Sequence, residues 1–344
     1  MAYLSRRDFL KLGTSAIAGL GLSPFLPGLG TFDDSHQVRV ATKAVTIHSG
    51  ASDQNRITSQ RFRDELVNIY EEVDGGAPAY NPIWYRVWGG YVHRARLQKI
   101  KVLFNKPLTS IPEDTRHVAE ITVPYTQAMR FTRTYGWQPN LRLYYGSVHW
   151  ITGIDDGPDG EPWYRIFDEL VGFPYHVPAI HLRPIPLEEW SSITPDVPLE
   201  DKRIEVDLTM QTLTAYELDK QVLKTKISSG IANSGQNTGL STQTPTGEFR
   251  IISKYPSKHM GNGNLFASPE DYELPGVPWT CFFHEAGYAF HGTYWHDKFG
   301  TPMSRGCVNM RIDEAKWLFR WVRPLHEPER TYTPGYGTLV VITP

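Results

Sequence analysis

Residues 287–311 read GYAFHGTYWHDKFGTPMSRGCVNMR and hold one of the chain's two cysteines. Tyr288-Ala289-Phe290 is strand-like and ends in His291, with Gly292 behind it where the chain can turn. Sixteen residues further on, Cys307 stands in a polar loop between Gly306 and Val308, after Ser304-Arg305. A histidine at a strand end and a cysteine on the returning loop can meet in space. A near-neutral imidazole suits the task of taking the thiol proton and later returning it to a leaving amine. The thiolate is the nucleophile, so a nearby base or positive group is required. The amides of Arg305, Gly306 and Cys307 can converge on the oxygen of an attacked carbonyl, and Gly306 permits close approach of the backbone. Base, nucleophile and oxyanion donors together define acyl transfer. Spacing alone leaves a buried structural cysteine equally open.

Other chemistries in this stretch are weaker. His284, His291, His296 and Cys307 can be drawn as a zinc site, but their spacings of 7, 5 and 11 residues match no familiar zinc motif; neither a metal nor an organic cofactor is expected. His296 with Asp297 reads as loop surface. Tyr294 and Trp295 either wall a substrate groove or pack inside, and Met260-Gly261-Asn262-Gly263-Asn264 reads as a flexible turn. The second cysteine, Cys281, lies in Trp279-Thr280-Cys281-Phe282-Phe283, where a free thiol behaves as a small buried hydrophobe. In an oxidising compartment the alternative is a disulfide between Cys281 and Cys307.

Around this stretch the chain is β-rich. Arg203-Ile204-Glu205-Val206-Asp207-Leu208 alternates polar and apolar like a strand exposed on one face. Residues 211–217 and 222–230 follow after turns, and Leu339-Val340-Val341-Ile342 is expected to close the sheet. One helix is predicted, from Asp313 to about Val322, with Trp317, Leu318, Trp321 and Val322 on one face. Towards the N-terminus, residues 186–200 follow Pro184 and include Pro186, Pro195 and Pro198, and so read as a linker in which Trp190 signals packing. Before it, Trp84-Tyr85-Arg86-Val87 and Trp163-Tyr164-Arg165-Ile166 are each followed by a second strand-like run, as if one small β module were repeated. One larger β domain is the alternative. At 344 residues two or three domains are expected, and 26 prolines and 29 glycines favour short strands over long helices. A net charge of −2 without a Lys/Arg stripe speaks against a nucleic-acid partner. Oligomeric state is not legible.

His291-Gly292-Thr293 followed by Ser304-Arg305-Gly306-Cys307-Val308-Asn309 resembles the signature of the L,D-transpeptidase catalytic domain. Thr244-Pro245-Thr246-Gly247 is similar to the Thr-Pro-x-Gly turn of that family, and the likeness covers residues 202–344. The resemblance implies Cys307 as nucleophile, His291 as base, the Gly292 carbonyl as the group that orients it, and Ser304 as the hydroxyl heading the cysteine loop. Arg305 and Gly306 contribute oxyanion-binding backbone, while Tyr294, Trp295 and Asn309 are candidates for substrate contact. Arg305 departs from the pattern, which has histidine there. The implied reaction attacks the carbonyl before the terminal D-Ala of a peptidoglycan stem tetrapeptide and transfers the acyl group to a neighbouring stem, giving a 3–3 cross-link. With water as acceptor it becomes an L,D-carboxypeptidase; a non-catalytic peptidoglycan-binding protein is the rival of another class.

Residues 37–104 and 117–185 resemble bacterial Src-homology-3-like modules, which implies a wall-binding or spacing role with contact to glycan. Arg6-Arg7 with Phe9-Leu10-Lys11, within residues 1–30, resembles a twin-arginine export signal. Export to the cell envelope, periplasm or wall is therefore expected, with retention as a membrane anchor left open. The expected architecture is mainly β: one or two small β-barrel-like modules before a β-rich L,D-transpeptidase-like domain.

Overall fold

The strand Lys202–Asp207 alternates buried and half-buried residues, so Lys202, Ile204 and Val206 face inward. Burial of the Lys202 ammonium is offset by three acceptors: Thr194 O, Thr194 Oγ1 and Trp321 O, each at 2.9 Å. This strand pairs antiparallel with Thr212–Glu217 and parallel with Leu339–Thr343. Lys220–Lys226 and Gly247–Arg250 complete a five-stranded sheet. A second five-stranded sheet runs in the order Val308–Met310, Ala289–Gly292, Leu274–Phe282, Ser253–Met260, Thr333–Pro334. The helix Ile312–Trp321 buries Ala315, Leu318, Phe319 and Trp321 against the core. Trp317 is only partly buried, stacking on Trp321 at 5.6 Å, and Val322 lies just past the helix end.

This computed structural model describes residues 36–232, 241–261 and 273–344, all within one compact unit spanning residues 34–344. The export segment, and Asn262 to Asn264 of the glycine-rich turn, lie outside the described residues. The protein is mainly β. Two N-terminal modules follow one path. In each, the first strand pairs antiparallel with the last: Gln37–Val40 with Leu97–Ile100, and His117–Ile121 with Leu182–Pro184. In each, the Trp-Tyr-Arg strand pairs with the strand after it, Ile83–Val87 with Gly90–His93 and Pro162–Phe167 with Tyr175–Pro178. A 3₁₀ turn, Arg94–Arg96 or Ala179–His181, then leads into the last strand. Tyr85 and Tyr164, equivalent on these paths, are both buried.

Residues 186–200 depart from the expected linker and form a packed strap. Trp190 is 6% exposed and meets Trp150 of the second module and Trp279 of the second five-stranded sheet. Glu189 accepts from Arg183 and Lys316, and Arg320 donates to Ser191 O. Proline content fixes backbone dihedrals but does not by itself keep a segment off the core; one large aromatic and three ion-paired side chains here bring it down.

Candidate active site

The strand Ala289–Gly292 is buried along its whole length and runs parallel to Val308–Met310, with His291 opposite Asn309. Cys307 therefore enters its strand beside the start of the histidine strand. His291 is 1% exposed, and its Nδ1 lies 3.0 Å from Gly292 O. A carbonyl only accepts, so Nδ1 carries the proton of the neutral ring and Nε2 keeps a lone pair. The Trp295 ring, half-buried, sits 5.7 Å from the imidazole.

The Cys307 sulfur lies 3.6 Å from Gly287 O. Although the residue keeps some surface in solvent, burial of the sulfur pushes the thiol up to about 11, with the Ala289 backbone pulling the other way. Burial likewise pushes His291 down to about 4, against a smaller opposite effect of the Gly292 carbonyl. The resting pair is thus a neutral thiol and a neutral imidazole. Burial is the larger influence on the sulfur, and the Arg305 side chain is exposed.

The cysteine loop is held from within and from outside. Ser304 Oγ donates to Cys307 O in a short bond and accepts the Gly306 amide at 3.1 Å. The Gly306 amide is thereby engaged, which removes it from the expected oxyanion donors. Gly306 adopts φ +113°, and a Cβ there would come within 2.3 Å of the Tyr288 ring. Thr244 Oγ1 accepts from the Gly230 amide and donates to Gly306 O, both at 2.8 Å. Sequence reasoning placed Thr244 in a turn without giving it this task. Ser229 O accepts the amides of Met303 and Ser304, and Ile231 donates to Ser304 O.

Other candidates sit elsewhere than expected. Tyr294 is 2% exposed and donates its hydroxyl to Pro275 O, so it is a packing residue and not a groove wall. Asn309 is buried, with its side-chain amide against His296 Nε2 at 2.9 Å. His296, read as loop surface, is 6% exposed. Among the described residues no three His, Cys, Asp or Glu side chains converge as metal ligands, which leaves the zinc arrangement without geometry. Both cysteines are free thiols; Cys281 is fully buried and burial pushes it up to about 12.

The segment joining His291 to Cys307 is gripped by the first module, which no local sequence signal announces. Arg39 donates to Tyr294 O at 3.2 Å, Asn81 Nδ2 to Asp297 O at 2.7 Å, and the Asp297 amide to Ala95 O at 3.0 Å. The second module adds Tyr144, stacked on Tyr294 at 6.2 Å.

Residues 201–342 match the family model described as YkuD, the L,D-transpeptidase catalytic domain, a family of cysteine transpeptidases. A protein of Bacillus licheniformis with the provisional name L,D-transpeptidase YkuD is 31% identical over 111 residues, 31% of this chain and 52% of that protein. The chain thus spans about half the length of the curated relative it matches. Among solved structures, the catalytic domain of an E. faecium L,D-transpeptidase aligns at 26% identity over 42% of this chain and 98% of its own, with a TM-score of 0.30. An L,D-transpeptidase from Mycobacterium smegmatis aligns at 15% identity over 70% of this chain and 89% of its own, with a TM-score of 0.33.

Proposed function

We propose that the protein is an exported L,D-transpeptidase that acts on peptidoglycan stem tetrapeptides through a Cys307 thioester. The observation that carries this is the pairing of the His291 strand with the strand that Cys307 opens, with Nδ1 tied to Gly292 O so that Nε2 is the free base. Because thiol and imidazole are both neutral at rest, proton transfer accompanies attack. Sγ bonds to the carbonyl carbon between the third, L-centre residue and the terminal D-Ala as its proton passes to His291 Nε2. The carbon–nitrogen bond then breaks, and Nε2 returns the proton to the leaving amine of D-Ala. The side-chain amine of a neighbouring stem attacks the thioester, losing a proton to Nε2, and the expelled thiolate recovers a proton from the same nitrogen. The product is a 3–3 cross-link; water as acceptor gives hydrolysis instead.

The Cys307 amide is the oxyanion donor of choice once Gly306 is committed to Ser304. Ser304 and Thr244 act as positioning residues. The two N-terminal modules are Src-homology-3-like barrels that hold the enzyme near the wall, a reading supported by their shared strand path. Export uses the twin-arginine route, supported by Arg6-Arg7 before Phe9-Leu10-Lys11; replacing both arginines by lysine should strand the protein in the cytoplasm.

Intact mass spectrometry tests the chemistry. A tetrapeptide stem should release D-Ala, and a carbapenem-type β-lactam should leave a covalent adduct that Cys307→Ala lacks. Folded wild-type protein showing neither outcome overturns the assignment. The acylation rate should fall on acidification with a midpoint near the depressed His291 value of about 4, and hold through neutral pH.

A further inference from the structure

One buried carboxylate of the first module binds an arginine from each module. Asp64 sits in the turn between the strands Ile57–Phe62 and Leu66–Asn68 at φ +67°, a left-handed conformation that Asn and Asp tolerate better than other side chains. Its amide donates to Val40 O, and its side chain is only 6% exposed. Oδ1 accepts from Arg39 Nη1 at 3.0 Å. Oδ2 accepts from Arg142 Nη1 of the second module at 2.6 Å and from the Tyr144 hydroxyl at 3.5 Å. Arg39 is itself buried, with Gln98 Oε1 on Nε and Nη2, and Tyr294 O on Nη2. Its guanidinium carbon stands 4.2 Å from the centre of the Tyr144 ring. A guanidinium this deep needs a counter-charge: burial pushes its pKa down, and Asp64 leads the groups that push it back.

From Asp64 the contacts run without a gap to the imidazole. Tyr294 is held at three points: its carbonyl by Arg39, its ring by Tyr144 at 6.2 Å, and its hydroxyl by Pro275 O. Asp64 governs the first two, because it binds the Arg39 guanidinium and the Tyr144 hydroxyl together. Trp295 follows Tyr294 directly, meets its ring edge-on at 4.9 Å, and lies half-buried 5.7 Å from His291. Where Tyr294 is held therefore decides how closely the Trp295 ring covers His291 and how much water reaches it.

We infer that Asp64 is a positioning residue for acyl transfer at Cys307: through Arg39 and Tyr144 it holds Tyr294, and with Tyr294 the Trp295 ring beside His291. Since Asp64 takes Arg39 from one module and Arg142 from the other, placement of this segment depends on both modules at once. The part played in acyl transfer rests on the function proposed above; the hold on Trp295 and His291 does not.

Full-length wild type, Asp64→Asn and Arg142→Gln are compared in two measurements. Asn suits the left-handed turn, so Asp64→Asn removes the charge and one acceptor while sparing the backbone. Arg142 is 48% exposed, and Arg142→Gln decides the matter should Asp64→Asn fail to fold. One measurement is the rate at which a carbapenem-type β-lactam acylates Cys307. The other is the NMR titration of the His291 ring, assigned against His291→Gln, which needs no catalysis. In Asp64→Asn the acylation rate at neutral pH should fall about tenfold. The His291 midpoint should rise from about 4 towards the ordinary histidine value of about 6.5, as water reaches the ring. Arg142→Gln should give smaller changes in the same directions, with its melting temperature unchanged. A midpoint still at about 4 in every folded variant overturns the inference whatever the rate does, since a residue that only stabilises the fold would lower the rate alone. A raised midpoint with the wild-type rate overturns the part played in acyl transfer. Wild-type protein that takes no acyl group removes the function proposed above, and a raised midpoint in the variants would then leave the hold on His291 standing.

Discussion

The two N-terminal modules share a strand path but join the catalytic domain by opposite means. The second is fused to it by burial: Val118, Val148 and Trp150 belong to the same hydrophobic cluster as Trp190, Ile204, Trp279 and Phe319. The first keeps its core to itself, from Val38 to Leu97, and reaches the catalytic domain through Arg39, Asn81 and Ala95. Apolar burial is non-directional and stabilises in proportion to area, whereas buried hydrogen bonds contribute less on balance but fix geometry. One module therefore supplies stability to the C-terminal domain, and the other supplies the position of its segment between His291 and Cys307.

The sharpest way to break this contrast is Trp190→Ala. It should cost about 3–5 kcal/mol and leave the second module and catalytic domain melting together in calorimetry; two separated transitions would mean that the cores are independent. Asn81→Ala should cost about 1–3 kcal/mol, because it removes the donor to Asp297 O and the acceptor for Arg94. Its larger consequence should be on chemistry, an acylation rate lower by about tenfold with the melting of the shared core unchanged. An unaltered rate would reduce the first module to a tether.

His259 offers a finer probe of the fused side. It is buried between Asp168 of the second module at 2.7 Å and Glu273 at 2.8 Å, with the Glu169 carboxylate on its amide. Burial opposes its proton, and Asp168 and Glu273 outweigh that opposition, so its pKa is raised; His149 lies close enough to act on Asp168. Its contribution is therefore complete below the unfolded histidine value of about 6.5 and is lost as pH rises through the folded value. His259→Gln should remove about 1–2 kcal/mol below neutral pH and flatten that dependence, read from denaturant midpoints across pH. The smallest effect is expected at Cys281→Ala, about 1 kcal/mol or less with acyl transfer intact. Cys281 should resist iodoacetamide until the protein unfolds, while Cys307 should react in the folded state and faster as pH rises towards about 11.

Periodicity and local chemistry made several elements legible. The alternation of residues 203–208, the apolar run at 339–342 and the amphipathic helix Ile312–Trp321 are written in side chains that see only their own strand or turn. The two Trp-Tyr-Arg runs read as strands for the same reason, and each falls on one, Ile83–Val87 and Pro162–Phe167. At 186–200 the prolines read as a linker and Trp190 alone signalled packing; what it packs on, Trp150 and Trp279, lies far away in sequence. Asn309 and His296 were read as a substrate contact and as loop surface, and Tyr294 was left open between groove wall and packing; only the neighbours that cover them show that all three are interior.

The sequence by itself determined which atoms are at hand, a thiol beside glycine and an imidazole ahead of a turn, since those are local and chemical. Tertiary structure alone decided their protonation, because the depression of His291 and elevation of Cys307 come from chain packed around them. It also decided what holds the segment between them, because Arg39 and Asn81 reach Tyr294 and Asp297 across 255 and 216 residues, a distance over which no periodicity or motif carries information.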